Sequence, residues 1–136
     1  MRHRFLLILA CAAVLGLPAA SASAASFVAH LKAPNHHPKA GTKTWRITVT
    51  ARTRSGRALH AKAVYKFLFR GRVVSTQYPN PGHTKGGTHP YAFTGRYRDT
   101  ILWPRRAVGF PLTFRVVVTV PGKGHVNLDW KVLVHR

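Results

Sequence analysis

Histidine is the residue type in this chain that most readily suggests metal chemistry. Two pairs lie in stretches rich in proline and glycine: His36 and His37 in APNHHPKAG, and His83 and His89 in YPNPGHTKGGTHPY. A neutral imidazole is a good ligand for Cu(II), Zn(II) and Ni(II). These four residues therefore define an alternative hypothesis, a copper- or zinc-binding site. Their spacing matches no compact motif, and no cysteine, methionine or spare carboxylate lies beside them in sequence, so solvated loop histidines are the favoured interpretation.

Acid–base and nucleophilic catalysis lack suitable residues. Asp99 and Asp129 are the only acidic residues, whereas glycosidase-type chemistry needs two carboxylates at one site. No serine occurs in a G-x-S-x-G context, and the sequence contains neither a P-loop nor G-x-G-x-x-G. We therefore expect a protein that is not an enzyme, with no catalytic residues and no cofactor.

Anion binding is the chemistry for which the chain is best supplied. Lysine and arginine total 22 against two acidic residues, which gives a formal net charge of +20 with neutral histidines. An arginine guanidinium group binds phosphate, sulfate or carboxylate through two parallel hydrogen bonds. In an extended strand, alternate side chains project from one face about 7 Å apart, so pairs such as Arg96 and Arg98 can act together. The candidate anion-binding residues are Arg70, Arg72, Lys85, Arg96, Arg98, Arg105 and Arg106.

This charge suggests a class of partner without identifying one. An anionic wall polymer, a polysaccharide or an envelope protein is the expected partner, and nucleic acid is not favoured because no known nucleic-acid module is present. Alternatively, the charge reflects composition and only maintains solubility. One concentrated arginine face would favour a binding site, whereas an even distribution would favour this alternative. The sequence leaves the oligomeric state open.

The N-terminus predicts export. A basic head, MRHR, precedes an apolar run over residues 5–17, and Pro18 and small residues follow. These are the parts of a secretory signal peptide, and the run is too short to span a bilayer, which takes roughly 20 residues. Ala22-Ser23-Ala24 fits the cleavage pattern, so we expect a secreted mature chain that begins at Ala25 and has no transmembrane segment. The only cysteine, Cys11, would leave with the signal peptide.

Apolar residues beyond residue 43 follow a period of two, as in Trp45, Ile47 and Val49, which predicts strands with one buried face. Arg70-Gly71 and residues 121–124 (PGKG) predict turns between neighbouring strands. Two weaker strands lie within residues 26–32 and 91–103, which brings the total to about seven, with no helical stripe. The pattern predicts an all-β, antiparallel immunoglobulin-like β-sandwich after a helical signal peptide. It forms one domain over residues 25–136, with a weak strand and linker at 25–43 and the main sandwich at 44–136.

Two features fit this pattern poorly. Asp99 falls on the apolar face of the strand predicted over residues 91–103, where a buried carboxylate without a partner would be costly. A bulge near Gly95 or pairing with an arginine would resolve the conflict. Residues 78–91 (YPNPGHTKGGTHPY) are too rich in proline and glycine for a central strand. They predict a flexible basic loop at one end of the sandwich.

Two stretches carry a resemblance to a known class of module. They are WRITVTARTRSGRALHAKAVYKFLFRGRVVSTQYP and GRYRDTILWPRRAVGFPLTFRVVVTVPGKGHVNLDWKVLVHR, which together cover most of residues 44–136. They resemble the immunoglobulin-like and fibronectin-type-III-like sandwich modules of secreted bacterial proteins. The resemblance implies a spacer, adhesion or binding role and brings no site residues with it. Fold alone does not decide among these roles.

Overall fold

In a computed structural model, residues 25–83 and 85–136 are described; the predicted signal peptide lies outside them. The alternating sequences form eight strands, because alternation lets each strand bury one face and solvate the other. The strands are β1 (Val28–Lys32), β2 (Trp45–Arg52), β3 (His60–Phe69), β4 (Arg72–Gln77), β5 (Tyr91–Thr94), β6 (Arg96–Ile101), β7 (Pro111–Val120) and β8 (Gly124–Leu133). One short 3₁₀ turn, Arg105–Ala107, lies between β6 and β7.

The strands form two antiparallel sheets. The three-stranded sheet has the order β1-β2-β6, and the five-stranded sheet has the order β4-β3-β7-β8 with β5 also paired to β3. The predicted all-β sandwich is therefore confirmed, and its organisation is compatible with an immunoglobulin-like fold. No helix among the described residues is long and apolar enough to cross a membrane.

Aromatic side chains fill the space between the two sheets. The inward residues of β2 and β7 are almost completely buried, and the Trp45 ring meets the Phe114 ring edge-on with centroids 5.6 Å apart. Trp103, just after β6, is 1% exposed and packs edge-on against Trp45 at 5.3 Å. Such edge-to-face pairs are favourable contacts between aromatic rings. The core therefore forms without a disulfide among the described residues.

The strand predicted over residues 91–103 is two strands in different sheets. Gly95 has φ of 72°, and a Cβ at this position would lie 2.8 Å from the Cβ of Ala58. Glycine permits both the positive φ and the close approach. Strand β5, before Gly95, pairs with β3 in the five-stranded sheet, whereas β6, after Gly95, pairs with β2 in the three-stranded sheet. This change of sheet accounts for eight strands where the sequence predicted about seven.

Asp99 is held between the sheets by a tyrosine. Its carboxylate accepts a hydrogen bond of 2.8 Å from the Tyr65 hydroxyl of the opposite sheet, and the Tyr97 hydroxyl donates to the Tyr65 oxygen at 3.2 Å. The backbone N–H of Thr100 donates to the other carboxylate oxygen at 2.8 Å. The predicted pairing with an arginine is wrong, because a buried phenol from the facing sheet reaches this carboxylate instead.

The loop that contains His83 and His89 lies beside the sandwich, not at one end. Strands β4 and β5 pair with successive parts of the same edge of β3, so residues 78–90 leave this edge and return to it. The Gly87 N–H donates to the Tyr78 carbonyl oxygen at 2.9 Å, and the Asn80 side chain donates to the Lys85 carbonyl oxygen at 3.0 Å. The predicted position is therefore wrong: the loop projects from the open edge of the five-stranded sheet.

The segment between β1 and β2 is a strap over the far edge of β8. The N–H groups of Leu133 and His135 donate to the carbonyl oxygens of His36 and Pro38 at 2.8 and 3.0 Å. The Asn35 carbonyl oxygen accepts the indole N–H groups of both Trp45 (3.2 Å) and Trp130 (2.9 Å). The predicted linker thus satisfies polar groups of the main sandwich.

Candidate anion-binding surfaces

The outer face of the three-stranded sheet concentrates cations. Strand pairing places Lys32, Thr48 and Arg98 in one row across β1, β2 and β6. The neighbouring rows contain Arg46 opposite Thr100 and His30, Thr50 and Arg96 together. We define the basic face as these outward side chains: Lys32, Arg46, Arg52, Arg96 and Arg98 with Thr48, Thr50 and Thr100.

Cations and threonines alternate on the basic face. Arg98 and Lys32 flank Thr48, and Arg46 lies opposite Thr100, so no two of its cations are direct cross-strand partners. Like charges directly opposite each other would destabilise the sheet, whereas diagonal neighbours are about 7–8 Å apart. This arrangement lets a sheet tolerate five cations, with hydroxyl groups between them that can also bind an anion.

Acidic side chains are absent from the basic face among the described residues, since Asp99 points into the core. The outer face of the five-stranded sheet differs. There Asp129 receives two hydrogen bonds from Arg115, at 2.6 and 2.8 Å, which lowers the pKa of Asp129 and raises that of Arg115. The outer face of the five-stranded sheet also carries Lys62, Lys66 and Lys131, but its arginine is paired with Asp129, so of the two outer faces the three-stranded one has the arginines without a carboxylate partner.

A cleft of about 740 Å³ adjoins one end of the basic face. Cationic side chains of Lys32, Lys43, Arg46 and Arg98 line it together with the half-buried Asp99, and His83 of the 78–90 loop also lines it. Such a concave group of cations raises the local concentration of anions. The loop therefore contributes a side chain to this cleft.

The seven predicted anion-binding residues divide into separate groups. Arg96 and Arg98 belong to the basic face, and Lys85 is exposed on the 78–90 loop. The remaining four lie at the end of the sandwich where β3 meets β4 and where the 3₁₀ turn follows β6: Arg70, Arg72, Arg105 and Arg106. The sequence therefore predicted residues that lie in three separate places without distinguishing them.

The tight turn between β3 and β4 presents one of these arginines. Arg70 has φ of 49° and Gly71 has φ of 77°, as the two central residues of a type I′ hairpin turn require. The Arg70 guanidinium carbon lies 5.2 Å from the centroid of the Phe69 ring. This cation–π contact holds the arginine beside apolar surface.

Three residues of the basic face were missed as candidates: Lys32, Arg46 and Arg52. The alternation around Trp45 already placed Arg46 and Arg52 on the outward side. Their convergence with Arg98 depends on the register of β2 against β6. Register between strands so distant in sequence leaves no local signal.

The four histidines of the metal hypothesis lie in different environments, and His37 is exposed, with its backbone N–H donating to the Asn35 side chain at 2.9 Å. His36 stacks on Trp130, with ring centroids 4.7 Å apart, and its Nδ1–H donates to the Lys131 carbonyl oxygen at 2.6 Å. His83 lines the cleft, and the His89 ring is hydrogen-bonded to its neighbour Thr88. Over residues 25–83 and 85–136, no three or more histidine, cysteine or acidic side chains come together in a group that could hold a metal.

The buried polar chain that ends at Asp99 has perturbed titration. Burial raises the pKa of Asp99, although the bonds from Tyr65 and the Thr100 N–H oppose this effect. Burial likewise raises the pKa of Tyr65 and of Tyr97. The partners of Asp99 are thus a phenol and a backbone amide, an arrangement that ties two sheets together.

No family model matches this chain, and no curated protein matches it.

Proposed function

We propose that the protein is a secreted, non-enzymatic immunoglobulin-like module that binds an anionic polymer outside the cell membrane. The N-terminal basic head, apolar run and A-x-A site support export. The strand order, β1-β2-β6 against β4-β3-β7-β8, supports a module of the immunoglobulin-like or fibronectin-type-III-like type. The observation that carries the proposal is the basic face, where five cations lie among threonines.

The geometry of the basic face favours an extended polymer. Arg96 and Arg98 follow each other along β6 at about 7 Å, and cations on adjacent strands are diagonal neighbours at a similar distance. Sulfate or phosphate groups spaced along a chain can therefore contact several arginines together. Phenylalanine, tyrosine and tryptophan are absent from the basic face among the described residues. Single-stranded nucleic acid relies on such rings for stacking, so the face favours a polymer without bases.

Salt dependence provides the test. By analogy with single-stranded nucleic acid, five contacts predict that log K falls with log salt concentration at a slope of about −3.5. We expect immobilised heparin and long-chain polyphosphate to retain the protein with slopes of this size. The double variant Arg96→Gln with Arg98→Gln should reduce the slope by about 1.4.

A matched control separates a binding surface from general charge. Lys62→Gln with Lys66→Gln removes the same charge from the outer face of the five-stranded sheet. These substitutions should leave the slope nearly unchanged. Equal losses in the two double variants would contradict the proposal, as would retention that is insensitive to salt.

A further inference from the structure

Exposed apolar side chains gather at one end of the sandwich. Among the described residues, the large hydrophobic side chains that are exposed are Val73 (49%), Val74 (59%), Leu102 (53%), Phe110 (51%) and Leu133 (42%). The pairing of Phe69 with Arg72 and Leu112, and of Pro111 with Leu133, brings their segments to the same end. Val74, Leu102 and Phe110 line one groove at this end, and clustered exposed apolar residues mark an interaction surface, unlike scattered ones.

Four arginines lie at this end of the sandwich, although Arg105 faces a neighbouring cleft that Val108 and Arg136 also line. Arg70 and Arg72 belong to the β3–β4 hairpin, and Arg105 and Arg106 belong to the 3₁₀ turn between Leu102 and Phe110. We define the tip as these arginines together with the five exposed apolar residues. Neither acidic residue lies at the tip, since Asp99 is held by Tyr65 and Asp129 by Arg115.

A groove of about 490 Å³ runs through the tip. Phe69, Leu102 and Phe110 line it with Val74, and Arg106 stands among them. The Phe110 ring meets the Phe69 ring edge-on at 5.8 Å, and the Arg70 guanidinium also lies against Phe69. Apolar and cationic groups are therefore interleaved on one surface.

We propose that the tip docks on an anionic lipid bilayer, with Leu102 and Phe110 inserted among the acyl chains and the four arginines at the headgroups. Peripheral attachment combines buried apolar area with attraction to anionic lipids, and each basic residue near the surface contributes about 1 kcal/mol, or about fivefold in affinity. Charge selects this occupant over a second copy of the chain, whose tip would oppose arginine with arginine. The tip shares Leu102 with the cleft beside the basic face, but its arginines are different ones, and it does not depend on the proposed function.

Vesicle binding tests the proposal. The purified protein should sediment with vesicles of equimolar phosphatidylcholine and phosphatidylglycerol, and much less with phosphatidylcholine alone. Leu102→Ala and Phe110→Ala should each weaken partition about threefold to tenfold, because each removes roughly half of a large apolar contact. Arg105→Gln with Arg106→Gln should weaken it about 25-fold. Lys62→Gln with Lys66→Gln, which removes the same charge from the outer face of the five-stranded sheet, should change it little.

Insertion is measured separately from attachment. Phe110→Trp should add a tryptophan whose emission shifts to the blue on anionic vesicles and is quenched by brominated acyl chains. Thr119→Trp, at the exposed opposite end of β7, should show neither change. Two results would overturn the proposal. The first is vesicle attachment that is lost in Arg96→Gln with Arg98→Gln but retained in the Leu102 and Phe110 variants. The second is a protein that binds no vesicles but self-associates with increasing concentration, in a way that Phe110→Ala abolishes.

Discussion

Removal of the Tyr65 hydroxyl should destabilise the sandwich more than removal of the Asp99 charge. In Tyr65→Phe, the Asp99 carboxylate loses its 2.8 Å hydrogen bond, and the buried Tyr97 hydroxyl loses its acceptor. A hydrogen bond to a charged group contributes about 1.5–3 kcal/mol, and an unsatisfied buried hydroxyl costs about 1 kcal/mol more. Because Asp99 is only partly buried and water can replace some of this bond, we expect a loss of about 2–3 kcal/mol in the free energy of unfolding.

The companion variant, Asp99→Asn, retains an acceptor for Tyr65 and removes the half-buried charge. We therefore expect its stability at neutral pH to equal or exceed that of the wild type. When Asp99→Asn is already present, Tyr65→Phe should cost about 1 kcal/mol less, since a bond to a neutral amide is weaker than a bond to a carboxylate. The double-mutant cycle measures this coupling directly.

The dependence of folding stability on acid pH shows whether the Asp99 charge stabilises or destabilises the folded state. The pKa of Asp99 is raised above its ordinary value of 3.8, so the folded state binds this proton more tightly than the unfolded chain does. Stability from this residue is present below pH 3.8 and is lost as the pH rises through the higher folded value. The stability of Asp99→Asn relative to the wild type should accordingly increase over that window.

Urea denaturation of the purified protein, followed by circular dichroism, is the assay. A loss of about 2–3 kcal/mol corresponds to a fall in the midpoint of about 1–2 M urea for a domain of this size. A midpoint for Tyr65→Phe within about 0.3 M of the wild type, which corresponds to about 0.5 kcal/mol, would refute the reasoning. So would an Asp99→Asn variant as unstable as Tyr65→Phe, because the bond, not the charge, is expected to stabilise the fold.

Three further predictions concern single contacts. Gly95→Ala should reduce the free energy of unfolding by about 2–4 kcal/mol, because of the positive φ and the contact with Ala58. Adding Ala58→Gly to this variant should restore part of the stability, as measured by thermal melts. If no stability is restored, the contact with Ala58 does not contribute. Arg115→Gln should reduce the free energy of unfolding by about 0.5 kcal/mol at neutral pH. This reduction should fade as the pH falls below 3.8 and through the lowered pKa of Asp129 in the folded state. A reduction that does not change with pH would contradict this prediction. His36→Ala should reduce the free energy of unfolding by about 1 kcal/mol, because it removes the stack on Trp130. His37→Ala should leave stability unchanged. Equal losses of Cu(II) affinity in both variants, without a change in stability, would instead support the metal hypothesis.

Local patterns were sufficient to predict the class of fold. Apolar and polar residues alternate around Trp45 and Phe114 because one face of each strand is buried. The residue types at these positions are visible in the sequence, so the buried face can be predicted without knowing what packs against it. The turn at Arg70-Gly71 could also be predicted from adjacent residues, because the positive φ angles of a tight hairpin depend on the residue types in the turn itself. The large positive charge was likewise evident from composition, although composition says nothing about where charges gather.

Only the tertiary structure decided which residues act together. Gly95 carries the chain from one sheet to the other because Ala58, distant in sequence, lies against it. Asp99 meets Tyr65 across the core, and the arginines separate into a basic face and an apolar tip, because strand register and sheet packing bring together residues that no local spacing connects. Alternation reveals which side of a strand is buried, whereas the partner on that side depends on contacts formed by the whole chain.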